Sequence, residues 1–182
     1  MDTNYIKTQH AKGNLLPFFL LIFSTVILLP ICLFSFFNFP QSDDWAYAVY
    51  AKLNTFIMAN YGYYSYINGR YLSTFIMLTF NPLCYLSFNG FKFTVLVFVL
   101  LTAVGYKTLF QVIFNQESRI KLWLISFFFT SIFISSMPSI AEGFFWLSGT
   151  ATYQTAHILL LLLISRFLTI KDQINIKNAF II

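Results

Sequence analysis

Long uncharged runs set the pattern of the chain: Leu15–Phe37, Tyr71–Phe91, Phe93–Tyr106, Leu122–Ala141 and Gly143–Ser165. The first is 23 residues long, and about 20 apolar residues suffice for a helix to cross a hydrocarbon core about 30 Å thick. Lys7, His10 and Lys12 precede it, and no small-residue cleavage site separates it from Phe36, Phe37 and Phe39. It therefore reads as an uncleaved helix with a cytoplasmic N-terminus. Pro17 falls in its first turn, where proline is tolerated, and Pro30 predicts a kink in its outer half. After Gln41-Ser42-Asp43-Asp44, the residues Trp45, Val49, Leu53 and Ile57 recur every four positions. That spacing predicts an amphipathic helix lying on the membrane, with Ser42 as its N-cap and Trp45 at headgroup level.

The basic residues decide how the remaining runs are read. If Tyr71–Phe91 crosses, three Lys/Arg share the side of the N-terminus and eight lie beyond. If it stays at the interface, the division reverses to eight and three, as the positive-inside rule favours. Asn81-Pro82 at its centre agrees, because the residue before a proline is pushed out of helical geometry. The expectation is an all-α, polytopic transmembrane helical bundle forming one domain over 1–182. Its crossings fall near 15–37, 92–114, 122–138 and 153–169, with outer loops at 38–91 and 138–152. The first outer loop carries juxtamembrane amphipathic helices.

Composition narrows the class further. The chain has 182 residues, 58% hydrophobic and only 9% charged, against about 25% charged in an average soluble domain. A soluble enzyme, a nucleic-acid-binding module and a disordered tail are excluded. The net charge of +5 records membrane orientation rather than affinity for nucleic acid. Abundant Phe, Ile, Asn, Lys and Tyr point to an AT-rich bacterial genome and hence to the bacterial inner membrane. Cys32 and Cys84 have neither metal-ligand nor redox spacing. No phosphate-binding glycine loop, dinucleotide fingerprint or zinc-protease motif occurs.

Three of the six acidic residues fall in the expected outer loops. Asp43 and Asp44 have two readings: acids that favour the positive end of a helix dipole, or a site. As a site they hold a divalent cation such as Mg or Mn through oxygen ligands, or one of them takes a proton from an acceptor hydroxyl. Arg70, after the turn signal Asn68-Gly69, either snorkels beside an aromatic belt or directs its guanidinium fork at a phosphate. Glu142 is the only charge between Lys121 and Arg166, and an ionisable group at membrane depth is a functional candidate by default. Trp146 and Tyr153 supply either faces for a sugar ring or further belt anchors. His157, alone on an apolar helix, reads as a packing residue.

Asp43-Asp44-Trp45, Asn68-Gly69-Arg70-Tyr71-Leu72-Ser73 and Glu142…Trp146-Leu147-Ser148-Gly149…Tyr153 resemble the recurring signature of a bacterial membrane family. That family is GT-C-related and akin to glucosyltransferase GtrII, and the resemblance spans about residues 15–170. It implies a membrane glycosyltransferase that moves a sugar from a polyprenyl-phosphate donor to a glycan or lipid acceptor of the cell envelope, on the outer face. By the same resemblance one of Asp43 and Asp44 is the general base or helps bind a metal. Arg70 would meet the donor phosphate, and Glu142, Trp146 and Tyr153 would line the pocket. Such enzymes have eight or more crossings, so the expectation is an N-terminal portion, with Ala179-Phe180-Ile181-Ile182 beginning a further helix. The alternatives are a transporter or flippase component, in which the acids bind coupling ions, and a non-catalytic membrane protein or remnant, in which they only cap helices.

Overall fold

The computed structural model describes residues 15–179. Every regular element among them is helical. In chain order these are α1 (Leu15–Ser35), α2 (Ser42–Leu53) and α3 (Phe56–Gly62), which passes directly into a π-helical segment, Tyr63–Asn68. There follow α4 (Tyr71–Phe80), a 3-10 turn (Pro82–Tyr85), α5 (Phe88–Ile113), α6 (Arg119–Ser135), a π-helical turn (Ala141–Phe145) and α7 (Leu147–Ala179).

Three of these helices are long and apolar enough to cross a membrane: Leu15–Ser35, Phe88–Ile113 and the Leu147–Lys171 stretch of α7. This is a membrane protein by length and composition. The expected crossing at 122–138 corresponds to α6, which has 17 residues and is shorter than the other three. Tyr71–Phe91 is not one helix. Asn81 takes an extended conformation ahead of Pro82, ending α4 after ten residues, and the chain turns through Pro82–Tyr85 before α5 begins. Pro30 sits inside α1, which continues through it to Ser35. Lys7, His10 and Lys12, and the apolar end at residues 180–182, lie outside the described residues.

The chain divides into two compact units. One contains the described residues up to Pro30, then Ala103–Ser136 and those from Leu161 onward. Aromatic rings pair within it: Phe23 meets Phe128 at 5.0 Å between ring centroids, and the buried Phe110 meets Phe129 at 4.8 Å. Ser126, Thr130 and Ser131 of α6 are also buried there, each hydroxyl donating to the carbonyl four residues earlier. Small hydroxylated residues satisfy themselves on their own helix in this way and let neighbouring backbones approach.

The second unit, Ile31–Thr102 with Met137–Leu160, holds all the candidate site residues. Its core contains Ala48, Ala59, Met77, Leu83, Phe91, Phe144 and Leu147. Helix α2 packs on α4 and on the 3-10 turn, and α3 packs on α4. The reversal between α3 and α4 is made at Gly69, whose φ of 62° a side chain would strain. Trp45, Val49 and Leu53 form an exposed apolar stripe on α2, while Asp44, Tyr47 and Ala48 face the protein. The four-residue recurrence stops at Leu53, because Asn54 is extended and Ile57 belongs to α3.

Candidate functional site

Adjacent residues on a helix do not face each other, and the two aspartates at the start of α2 are accordingly parted. Asp43 is exposed, whereas Asp44 is completely buried. The N-cap is Gln41 rather than Ser42. The Gln41 backbone N–H donates to Asp44 Oδ2 over 2.9 Å, so Asp44 reaches back to close the first turn. The Ser148 N–H, 104 positions along the chain, donates to Asp44 Oδ1 over 3.1 Å. The Asp44 carbonyl in turn accepts from Asn81 Nδ2 at 2.8 Å, and Asn81 Oδ1 accepts from the Leu83 N–H at 3.1 Å. Burial raises the Asp44 carboxyl from its ordinary value to about 6; the Gln41 and Ser148 bonds oppose this and Asp43 adds to it.

Asp43 lies near a tyrosine cluster. Tyr47 and Tyr63 stack at 4.2 Å between centroids, with Tyr50 edge-on to Tyr63 at 4.8 Å. Burial chiefly, with the Tyr47 and Asp43 charges behind it, pushes the Tyr63 phenol up to about 12, so it stays protonated.

The second motif is organised by close backbone approach. The chain leaves the π-helical turn through Trp146, which is extended, and α7 starts at Leu147. A Cβ on Gly149 would collide with the Glu142 carbonyl oxygen, so only glycine lets α7 begin against that turn. The Glu142 side chain is exposed, and burial does not isolate it as its sequence setting leads one to expect. Tyr153 is exposed as well; Trp146 is half-buried, its indole Nε1 enclosed without a hydrogen-bond partner. No hydrogen bond joins the side chains of Glu142, Trp146 or Tyr153 to either aspartate among the described residues.

Arg70 caps the start of α4 and is exposed. Together with Ser73, and with Thr152 of α7, it borders a groove of about 340 Å³. The structure thus joins Asp44 to the Ser148-Gly149 segment by a hydrogen bond and brings Arg70 and Thr152 to one groove. No group of three His, Cys, Asp or Glu able to hold a metal occurs among the described residues. Each Asp44 oxygen takes one backbone N–H, while Asp43 is exposed. Sequence reasoning missed Ser148, Asn81 and Tyr63. Asn81 carried a signal only as the residue before Pro82, and Tyr63 was one of four tyrosines in six residues.

Comparison of the chain with protein-family profiles, with curated proteins and with solved structures finds no match.

Proposed function

We propose that the chain is part of a membrane glycosyltransferase of GT-C type, moving a sugar from a polyprenyl-phosphate donor to a cell-envelope acceptor. One observation carries this reading: the Asp44–Ser148 hydrogen bond links two acid-bearing motifs far apart in sequence within a single unit. In this reading the two aspartates divide the work. Asp44 positions the start of α2 while Asp43, exposed beside the Tyr47–Tyr63 stack, takes the proton of the acceptor hydroxyl. Arg70 meets the donor phosphate in the groove with Ser73 and Thr152, where its planar fork suits phosphate oxygens. Trp146 and Tyr153 offer ring faces to the sugar, and no step runs through a metal.

The topology belongs to the same proposal. Helix α6 is the fourth crossing; at about 1.5 Å per residue its 17 residues are shorter than the bilayer core, a mismatch that local thinning absorbs. The N-terminus is cytoplasmic, and 38–91 and 138–152 face outward at the bacterial inner membrane. The exposed Trp45–Val49–Leu53 stripe rests on the lipid surface.

The test is glycan analysis of cells that express the protein with Asp43→Asn or Arg70→Gln. Glycan modification should be lost while expression and membrane insertion persist. Unchanged modification with Asp43→Asn overturns the proposal. It would favour the second reading, a non-catalytic membrane protein, which rests on the two backbone N–H groups that Asp44 accepts.

A further inference from the structure

The tyrosines between α3 and α4 shape a second cleft that the proposed transfer reaction does not use. It is bordered by Asn60, Tyr61, Tyr64, Tyr71 and Thr74 and encloses about 240 Å³. Drug-sized ligands occupy about 300–1,000 Å³, so this cleft has room for a single ring. Tyr64 and Tyr71 stack at 3.6 Å between centroids with planes 21° apart. Tyr61 stands edge-on to Tyr66, and both Tyr61 and Tyr71 are more than half exposed. The π-helical segment produces this arrangement. Its extra residue, closed by the Gly69 N–H to the Tyr64 carbonyl, brings Tyr64 over Tyr71. Such π-turns recur at functional sites.

The chemistry of the lining is selective. Among the described residues no charged side chain borders the cleft; a cation finds ring faces but no counter-charge, and an anion finds no donor of opposite sign. What the cleft offers is phenolic hydroxyls that both donate and accept, aromatic surface, and an amide. The Asn60 Nδ2 is held by the Phe56 carbonyl at 2.9 Å, leaving Oδ1 as an acceptor. That combination suits a neutral ring with apolar C–H surface and hydroxyls at its edge. Beside it, sharing Asn60 and Tyr71, lies a more open groove of about 460 Å³ walled by Phe56, Ile57, Leu72 and Phe75. A polar ring site continuous with an apolar groove matches an amphiphile whose two ends have these two characters.

We propose that this double site binds a neutral glycolipid, the pyranose in the tyrosine cleft and the start of its hydrocarbon chain along the Phe56–Phe75 groove. The site is separate from Asp43 and Asp44, and its occupancy does not depend on glycosyl transfer.

The test uses the full chain in nanodiscs and ligand-observed NMR, with methyl and hexyl β-D-glucopyranoside as probes. Saturation should reach the ring protons of both, and hexyl glucoside should bind more tightly. Tetramethylammonium should displace neither, and hexanol should leave methyl glucoside in place. Tyr61→Ala and Tyr71→Ala should weaken both probes about tenfold, the scale of one aromatic contact. Leu72→Gln should remove the advantage of the hexyl chain and leave methyl glucoside unchanged. Asp43→Asn should bind both probes normally, so failure of the transferase reading leaves this one standing. No transfer to the ring protons, equal binding by the tyrosine variants, or displacement by tetramethylammonium overturns it.

Discussion

The backbone N–H of Ser148 donates to the carboxylate of Asp44 over 3.1 Å, where no solvent reaches the acid. The other oxygen of the same carboxylate takes the Gln41 N–H. Asp44→Asn keeps the shape but can accept only one of these donors, and its amide NH2 faces the other. Leaving a buried donor unsatisfied costs about 1–3 kcal/mol. The melting midpoint in detergent should therefore fall by about 2–12 °C, while Asp43→Asn, at an exposed position, should leave it unchanged. Differential scanning fluorimetry of the two single variants reads the contrast directly.

Asp44 also gives stability a defined dependence on pH. Its folded pKa of about 6 stands above an unfolded aspartate near 4. Between those values the folded chain keeps a proton that the unfolded chain has released. The stabilisation is thus fully present below about pH 4 and is lost as pH rises through about 6. Thermal melts from pH 4.5 to 7.5 should show a midpoint that declines across this range, and Asp44→Asn should remove that part of the slope.

Gly149 lies where the Glu142 carbonyl passes. Because the obstacle is backbone, it cannot rotate away as a side chain would. Gly149→Ala should shift the π-helical turn and cost about 1–3 kcal/mol, the scale of an overpacked core. Limited proteolysis at 138–146 should become faster in this variant.

Asn81 ties the Asp44 carbonyl to the 3-10 turn from a fully buried position. Asn81→Ala removes the side-chain donor to the Asp44 carbonyl and strands the Leu83 N–H. A loss of about 2 kcal/mol is expected from two broken buried bonds, read as a lower midpoint in the same melts. Asn81→Asp keeps the acceptor for Leu83 but sets a buried, unpaired carboxyl against the Asp44 carbonyl, so it should be no more stable than Asn81→Ala.

Much of the fold was legible because helices long and apolar enough to cross a membrane announce themselves by length and lack of charge. The break at Asn81-Pro82 and the turn at Gly69 were legible too, since each follows from local backbone preference. The protein-facing side of α2 was not. The period-four stripe from Trp45 marks the exposed face, while the buried face is made by Asp44, Tyr47 and Ala48, a set that no hydrophobic period reveals. Nor could the sequence separate Asp43 from Asp44, because what distinguishes them is an N–H more than a hundred residues away. The exposure of Glu142 was not legible for the opposite reason: isolation among apolar neighbours in sequence does not imply enclosure in space.

The contact between Asp44 and Ser148 orders events in time as well as in space. A ribosome adding about 5–20 residues per second needs about 5–20 s to travel the 104 positions between them. Throughout that interval Asp44 has been made while its second donor has not. Helix α2 therefore closes its first turn locally, with Gln41, and the second carboxylate oxygen is covered only after the start of α7 has been delivered.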